Sequence, residues 1–476
     1  MSNKEVKLEA IVSLAKRRGF VYQGSEVYGG LAGTWDYGPL GVALKRNIQN
    51  LWWKTFVDDR DDMYGVDAAI LMNQRVWQAS GHVETFTDPL VECSNCKGRF
   101  RADHLEGDVC PSCGENGTFG GTRQFNMMFK TTIGPLSASV EAEEYNTLEA
   151  DLIFRDKNGD ELPVKTPELS DVDSALLYNK NSVTYLRPET AQGIFTNYKN
   201  VVDSFYPDLP FGIAQIGKAF RNEISPRDFV FRSREFEQME VEYFVHPDAW
   251  EEAFEQWRSD IHAFLTNLGL DPSAVHELEV PEDDRAHYSK RTIDFEFDFP
   301  HRRDELLGLA YRTDFDLGNI QRVSGKGMEY TVKGTNEKLI PHVIEPSFGM
   351  ERMLMAILTS AYTEEEVNGE QRTVLKLPKH LAPVKIAVFP LLKNKQELVE
   401  KARSVYRQLR QEFGAVMWDD GGNIGKRYRK QDEIGTPQCV TVDFDTLEDD
   451  TVTVRDRDTM EQRRISISDL VAELTP

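Results

Sequence analysis

Between Lys4 and Arg18, Val6, Ala10, Ile11 and Leu14 recur at helical spacing and Gly19 follows, which predicts an amphipathic helix closed by glycine. The glycine-rich stretch Tyr28–Gly41, YGGLAGTWDYGPLG, reads as a turn. It leads into a second helical pattern from Val42 to Val57, with Leu44, Ile48, Leu51 and Trp52 on one side. The acidic DDRDD at 58–62 reads as a solvated loop. Strand patterns follow at SVTYLR from Ser182, FGIAQIGKAF from Phe211 and FVFRSREFEQMEVEYFV from Phe229, with the spacing of antiparallel neighbours. From His246 to Gly269, Trp250, Phe254, Trp257, Ile261, Phe264 and Leu268 form a continuous apolar stripe, with Asp248 and Glu251 set as a capping pair. TIDFEFDF from Thr292 and MEYTVKG from Met328 add strands, and SFGMERMLMAIL from Ser347 reads as a turn into a buried helix.

The two prolines of Thr373–Pro383 mark a boundary. Beyond it the pattern alternates: strand from Val384, helix Gln396–Phe413, strand AVMW, helix Ile424–Ile434, strand QCVTVDF and a hairpin through Arg457, an α/β unit. Charge adds a second division. The 476 residues carry 56 basic and 79 acidic groups, a net of −23, which argues against a general polyanion-binding surface. Yet 141–173 alone holds 11 acidic against 3 basic residues, and an acidic surface insertion over 141–180 is expected. The composition, 40% hydrophobic and 10% aromatic, is that of a folded globular chain. No apolar run reaches membrane-spanning length, the N-terminal twenty residues mix acids and bases, and five cysteines are too few for a disulfide scaffold, so a cytoplasmic protein with no membrane partner is expected.

Four of the five cysteines form two C-x-x-C turns, Cys93 with Cys96 and Cys110 with Cys113, the spacing of a structural zinc site with every ligand position filled. Cys439 sits in an apolar strand pattern and reads as core. If 230–245 is one strand, its parity places Arg232, Arg234, Phe236, Gln238, Glu240 and Glu242 on one face. That row of cations, aromatic ring and carboxylates suits an elongated ligand with phosphate at one region and an amine at another. In GKRYRKQDE from Gly425, Lys426, Arg427, Arg429 and Lys430 surround Tyr428, a basic and aromatic cluster of the kind that touches nucleic acid.

RPETAQG at Arg187, FRNE at Phe220 and EPSFGMER at Glu345, with YGPLG near Tyr37 and IGKRYRKQDEIGTPQCVTVDF at Ile424, together resemble the glycyl-tRNA synthetase family of class II aminoacyl-tRNA synthetases, in its single-chain homodimeric form. The resemblance spans essentially the whole chain. It implies an α+β fold: an antiparallel class II sheet flanked by helices over 1–375, interrupted by a zinc-ribbon-like element at 90–116, then an α/β anticodon-binding domain over 376–476. The helix from Val42 would build the dimer interface. It further implies that glycine and ATP form glycyl-adenylate, and that the glycyl group passes to the 3′ end of tRNA(Gly). An anticodon contact becomes the expected role of the Tyr428 cluster.

Site positions carry over residue by residue. Arg221 and Arg352 would be the catalytic pair, Arg221 gripping the α-phosphate and the glycine carboxylate, Arg352 the γ-phosphate beside the helix start at Gly349. ATP would meet Arg221, Asn222 and Glu223, with Glu223 reading the adenine amine. The run Phe231, Arg232, Ser233, Arg234, Glu235 and Phe236 would follow, with adenine stacked on Phe236. Glu305 with Leu306, and Gly349, Met350, Glu351 and Arg352, complete the ATP set, Glu305 carrying Mg2+. Glycine would meet Arg101, Glu189, Phe236, Glu237, Gln238, Met239, Glu240, Glu345, Pro346, Ser347, Phe348 and Gly349, with Glu189, Glu240 and Glu345 around its ammonium. Three carboxylates so placed should raise at least one pKa in the empty site. Because glycine is the smallest amino acid, sterics suffice for specificity and no editing domain is expected. Three rivals predict otherwise: a synthetase-like protein without catalysis, an enzyme for another small amino acid, and a zinc-ribbon adaptor.

Overall fold

The computed structural model describes residues 8–105, 107–133, 183–286, 288–335 and 337–475. The acidic stretch 141–180, Lys4 to Lys7 and Ser182 lie outside them. Helix α1 (Leu8–Arg18) buries Ile11, Leu14 and Ala15. Helix α2 (Pro39–Trp53) starts three residues earlier than its pattern, with proline in its first turn, where a missing N–H costs nothing. Its end widens into a π turn, Lys54–Asp58, that buries Phe56 and Val57. The 58–62 loop is not simply solvated: Arg60 holds Asp62 through two nitrogens at 2.9 Å, and the Tyr243 hydroxyl donates to Asp62 at 2.7 Å.

The strands β1 (Met63–Gly65), β2 (Phe211–Phe220), β3 (Glu235–Val245), β4 (Val275–Glu279), β5 (Arg291–Asp298), β6 (Arg303–Thr313) and β7 (His342–Gly349) form one sheet in the order β4-β5-β6-β7-β3-β2-β1. Only β1 with β2 is parallel. Alternation decides what each face carries. Met239, Val241, Tyr243 and Val245 of β3, with Ile344 and Phe348 of β7, point into a core shared with Trp52 and Phe56 and with Trp257 and Phe264 of helix α4 (Trp250–Asn267). Phe56 is the hub, stacked on Trp257 at 5.5 Å and 5.1 Å from Phe264. Phe244, on the opposite face, packs on Phe211 and on Tyr198 of helix α3 (Ala191–Phe205). The rest of that face, from Phe236 to Glu242, carries polar groups.

Three further local expectations are corrected. The strand does not begin at Val230: Asp228 and Phe229 take left-handed backbone angles, Phe229–Phe231 forms a 3-10 turn, and the Arg234 N–H bonds to Gly33 rather than to a strand neighbour. Arg232 and Arg234 therefore leave the strand face. Nor do Asp248 and Glu251 cap α4, because the His246 ring accepts from the Asp248 N–H and caps a 3-10 turn ahead of it. Met328 starts no long strand, and only Tyr330–Thr331 pairs there.

After helix α5 (Phe315–Ser324), helix α6 (Met350–Ala361) and the hairpin β8 (Tyr362–Val367) and β9 (Glu370–Leu375), a second sheet gathers β10 (Ile386–Pro390), β11 (Val416–Trp418), β12 (Gln438–Val442), β13 (Thr451–Asp456) and β14 (Gln462–Ser466) in the order β11-β10-β12-β13-β14. Helices α7 (Gln396–Phe413) and α8 (Ile424–Ile434) match their patterns to the residue. The sheet has its own apolar cluster with α7. It is tied to the hairpin by buried charge: Arg372, fully buried, donates to Asp432 at 2.9 Å, and Arg455 donates to the same carboxylate at 2.9 and 3.2 Å. Removing Asp432 takes the only carboxylate partner of buried Arg455 among the described residues and one of the two of Arg372, which keeps Glu365 and the Arg457 carbonyl. Asp432→Ala should cost about 3–5 kcal/mol in urea unfolding; a loss too small to measure would show that water or other groups take over.

Candidate active site

On the polar face of the first sheet, cross-strand register sets Glu240 of β3 opposite Ser347 of β7, and Ser347 opposite Gly308 of β6. Glu240 is fully enclosed. It accepts from Ser347 at 2.6 Å, from Gln238 at 3.1 Å and from the Thr190 hydroxyl. Glu189 comes in from the segment ahead of α3 and pairs with His82 at 3.2 Å. Glu345 accepts from Arg312 at 2.5 Å, while the same guanidinium grips Asp316 at 2.8 and 2.9 Å. Arg312 is 1% exposed and lies 3.7 Å from the Tyr288 ring centroid.

This crowding divides the three glutamates. Burial, then the charges of Glu240 and Glu189, push Glu345 up to about 8 against the pull of Arg312. Burial and then Glu189 also raise Glu240. Against its own burial, Glu189 is held well below the usual range by His82, with help from Arg312 and Arg221. The sequence-based expectation that at least one pKa would rise is met.

A cationic region adjoins these acids. Arg221 donates to the Pro188 carbonyl at 3.1 Å, and its guanidinium lies between the rings of Phe86 and Phe236, 5.4 and 5.2 Å from their centroids. Arg352, one turn into α6, binds the Glu305 carboxylate and carbonyl, both at 2.9 Å, and covers the Phe231 ring. It holds Glu305 below the ordinary carboxylate value. Arg232 makes no ion pair among the described residues; burial lowers its pKa and Arg101, Arg352 and Arg227 crowd it, with Glu223 opposing. Glu223 keeps one buried oxygen without a donor, an acceptor waiting for an N–H.

In the cysteine element, ligand sulfurs of Cys93, Cys96, Cys110 and Cys113 all lie within 4.8 Å of one another, with Cys93 to Cys113 at 3.8 Å and Cys96 to Cys110 at 3.7 Å. A tetrahedral ion with about 2.3 Å bonds to sulfur needs separations of this size. Hydrogen bonds from the Cys96 N–H and the Thr118 hydroxyl draw the Cys93 thiol down to about 6, so it stands ready as a thiolate.

Two family models match the chain: "tRNA synthetase class II core domain (G, H, P, S and T)" over 177–361 and "Anticodon binding domain" over 385–475. Glycine–tRNA ligases of Treponema denticola and of Borrelia garinii subsp. bavariensis are 45% and 46% identical to it, covering 100% and 98% of this chain and 98% and 96% of their own. The chain belongs to the glycine–tRNA ligase family. A Giardia lamblia prolyl-tRNA synthetase solved with prolyl-adenylate shares the fold at a TM-score of 0.63 and 14% identity, covering 98% of this chain and 77% of that one.

Against the positions a glycine–tRNA ligase motif would assign, the structure brings together Glu189, Gln238, Glu240, Glu345 and Ser347, and separately Arg221, Glu223, Phe231, Arg232, Phe236, Glu305 and Arg352. Others turn away by strand parity. Met239 and Phe348 are core side chains, Pro346 stands opposite core Leu309, and Leu306 and Met350 are wholly enclosed in the core. Glu237 is held on the helix face by Lys45 at 2.7 Å and Gln49 at 2.6 Å, and Glu351 by Tyr37 and the Glu237 N–H. These positions can offer a ligand backbone alone. Ser233 bonds back to Val230, Arg234 to the carbonyls of Ala32 and Glu223, Glu235 to Lys218, and the Asn222 N–H to Met127. Arg101 binds Asp88 and Asp103, and the next charge acting on it is Glu223, so it stands at the cationic end and not with Glu189, Glu240 and Glu345.

The Tyr428 cluster divides: Lys426 is exposed and Arg429 and Lys430 are partly exposed, while Arg427 and Tyr428 turn inward. Arg427 is buried and donates to the carbonyls of Pro390, Asp420 and Gly422; the Tyr428 hydroxyl meets Thr441 and its ring lies under Arg455. Lys430 pairs with Asp419. Cys439 is core, as expected. Sequence reasoning missed Arg312, Asp316, His82, Thr190 and Phe86. Their local signals are that Thr190 lies within RPETAQG and that Arg312 shares the parity of Gly308 and Ala310, which stand opposite Ser347 and Glu345.

Proposed function

We propose that this chain is a glycine–tRNA ligase that activates glycine with ATP and esterifies tRNA(Gly), with the ammonium of glycine held among Glu189, Glu240 and Glu345 and its carboxylate turned toward Arg221. The carrying observation is the direct junction of an enclosed, over-acidic pocket with an arginine cluster. A zwitterion and a triphosphate fit there side by side. Attack of a carboxylate on the α-phosphate brings two anions together, and a guanidinium fork fixed by Pro188 and two rings supplies charge and alignment. The same sandwich suggests that Phe236 offers adenine only the face Arg221 leaves free. The unpartnered Glu223 oxygen is suited to the adenine amine.

Glu305 would hold Mg2+ against the phosphates. Its neighbour Asp294 is pushed up to about 7 by burial and then by Glu305 even with Arg352 opposing, so the two carboxylates could take the added positive charge of a divalent ion. The four cysteines would hold a structural zinc. The C-terminal unit would bind the anticodon arm through surfaces other than Arg427 and Tyr428. We place the catalytic domain in 1–375 and the anticodon-binding domain in 376–476, and assign a homodimer, for which the exposed Val27, Tyr28 and Leu31 on the glycine-rich turn offer apolar area. Among the described residues no helix is long and apolar enough to cross a membrane, and a cytoplasmic location is proposed.

Glycine-dependent exchange of pyrophosphate into ATP should occur, with alanine, serine and proline inactive; Arg221→Ala should lower it by about a hundredfold or more without loss of tRNA binding. Absent exchange from folded protein would refute the assignment. Metal analysis should find one zinc per chain, lost with unfolding of the 93–113 element in Cys93→Ser; a stable metal-free protein would overturn the zinc claim.

A further inference from the structure

Beneath the three glutamates lies a fourth, Glu242, that no step above uses. It is 0% exposed, and neither of its oxygens meets a protein donor. Its position on β3 follows from the register: between the pairs Glu240 with Ser347 and Tyr243 with Ile344, Glu242 falls opposite Glu345. The other strand neighbour, Ile213 of β2, is apolar. The charged groups that bear on Glu242 are Glu345 from β7, Arg312 from β6, Glu240 from its own strand and Asp316 from α5. Glu345 in turn faces Arg312, Glu240, Glu189 and Glu242.

Two acceptors set side by side in a dry sheet repel unless a proton lies between them. Which one carries it follows from Arg312. That guanidinium donates to Glu345 at 2.5 Å and uses its remaining reach on Asp316, leaving Glu242 no direct ion pair, though Arg312 still acts on it from a distance. Arg312 thus makes Glu345 the first of the pair to ionise and Glu242 the last, so that once a substrate ammonium ionises Glu345, Glu242 still holds its proton and is a donor. Burial acts in the same direction, raising Glu242 well above the ordinary carboxylate value.

We propose that Glu242 is a positioning residue for glycine: it stays a neutral carboxylic acid at working pH and donates a hydrogen bond to Glu345, orienting that carboxylate toward the substrate ammonium. A carboxylate accepts about four hydrogen bonds, so Arg312 and Glu242 together leave lone pairs of Glu345 for a primary ammonium. The neutral form also limits the anionic charge of the pocket. The proposal rests on the ammonium being received by Glu189, Glu240 and Glu345.

Pyrophosphate exchange by the full chain tests it, with KM for glycine and for ATP measured separately across a pH series. Glu242→Leu keeps the bulk but cannot donate; it should raise KM for glycine by about tenfold or more, leave KM for ATP within about twofold, and move the pH dependence of glycine KM to higher pH. Glu242→Gln still donates and should rescue most of the loss. Equal damage from glutamine and leucine would show that a charged carboxylate was needed, and an unchanged glycine KM in the leucine variant would remove the positioning role; either overturns the proposal. If the leucine variant fails to fold, infrared difference spectra of wild type against Glu242→Gln decide at neutral pH: a protonated carboxyl C=O stretch must vanish in the variant, and its absence from wild type overturns the proposal. Failure of every form, wild type included, to exchange with glycine would instead refute the glycine assignment and leave the infrared result standing.

Discussion

One guanidinium bears most of the electrostatic load in this molecule. Arg312 is buried among Glu345, Asp316, Glu242, Glu240 and Glu189, a set whose acids outnumber its cations even with His82 included. Such a cluster cannot be fully ionised in a dry interior. Its unbalanced charge has two remedies, protons or a cationic ligand. The strands that carry these groups are central in the sheet, so their positions are fixed by ladder hydrogen bonds on both sides and by the aromatic core behind them.

The nucleotide end solves the opposite problem. Among the described residues Arg221 and Arg232 make no ion pair, Arg221 being held by two rings and a carbonyl and Arg232 being half-buried, while Arg352 pairs with Glu305 and covers the Phe231 ring. Charge left uncompensated there is available to phosphate. The glycine-rich turn after α1 supports this end through the hydrogen bond from the Arg234 N–H to Gly33, and Trp35 packs edge-on against Phe229 at 4.9 Å. Loss of either contact would free the loop that presents Arg232.

Periodicity was enough for the helices α7 and α8, the strand Phe211–Phe220 and the apolar stripe of α4, because those elements are governed by a single buried face. It failed at Val230–Arg234, where left-handed residues and a tertiary bond to Gly33 override a strand-like composition. Motif resemblance picked out residues that the fold gathers into an acidic and a cationic group, but it assigned whole runs of residues, and strand parity sends Met239, Glu237, Pro346 and Phe348 to the other side of the sheet. Arg312 and Asp316 were illegible because their pairing depends on how β6 and α5 meet. Arg427 and Tyr428 misled for the complementary reason: basic and aromatic composition on a helix does not tell whether its inner face needs those groups to bind carbonyls.

In the proposed binding mode the glycine ammonium would replace protons held by the buried carboxylates. Glu345, at about 8 in the empty pocket, is largely protonated at neutral pH, and a bound ammonium favours its ionised form. Glycine binding should therefore release protons near pH 7, and affinity should rise as pH climbs toward 8. Calorimetric titration of glycine into protein saturated with a non-hydrolysable ATP analogue, repeated in buffers of different ionisation enthalpy, measures that release directly. The binding heat should change with the buffer in the sense of proton release; a heat independent of the buffer, or one showing proton uptake, would rule the exchange out.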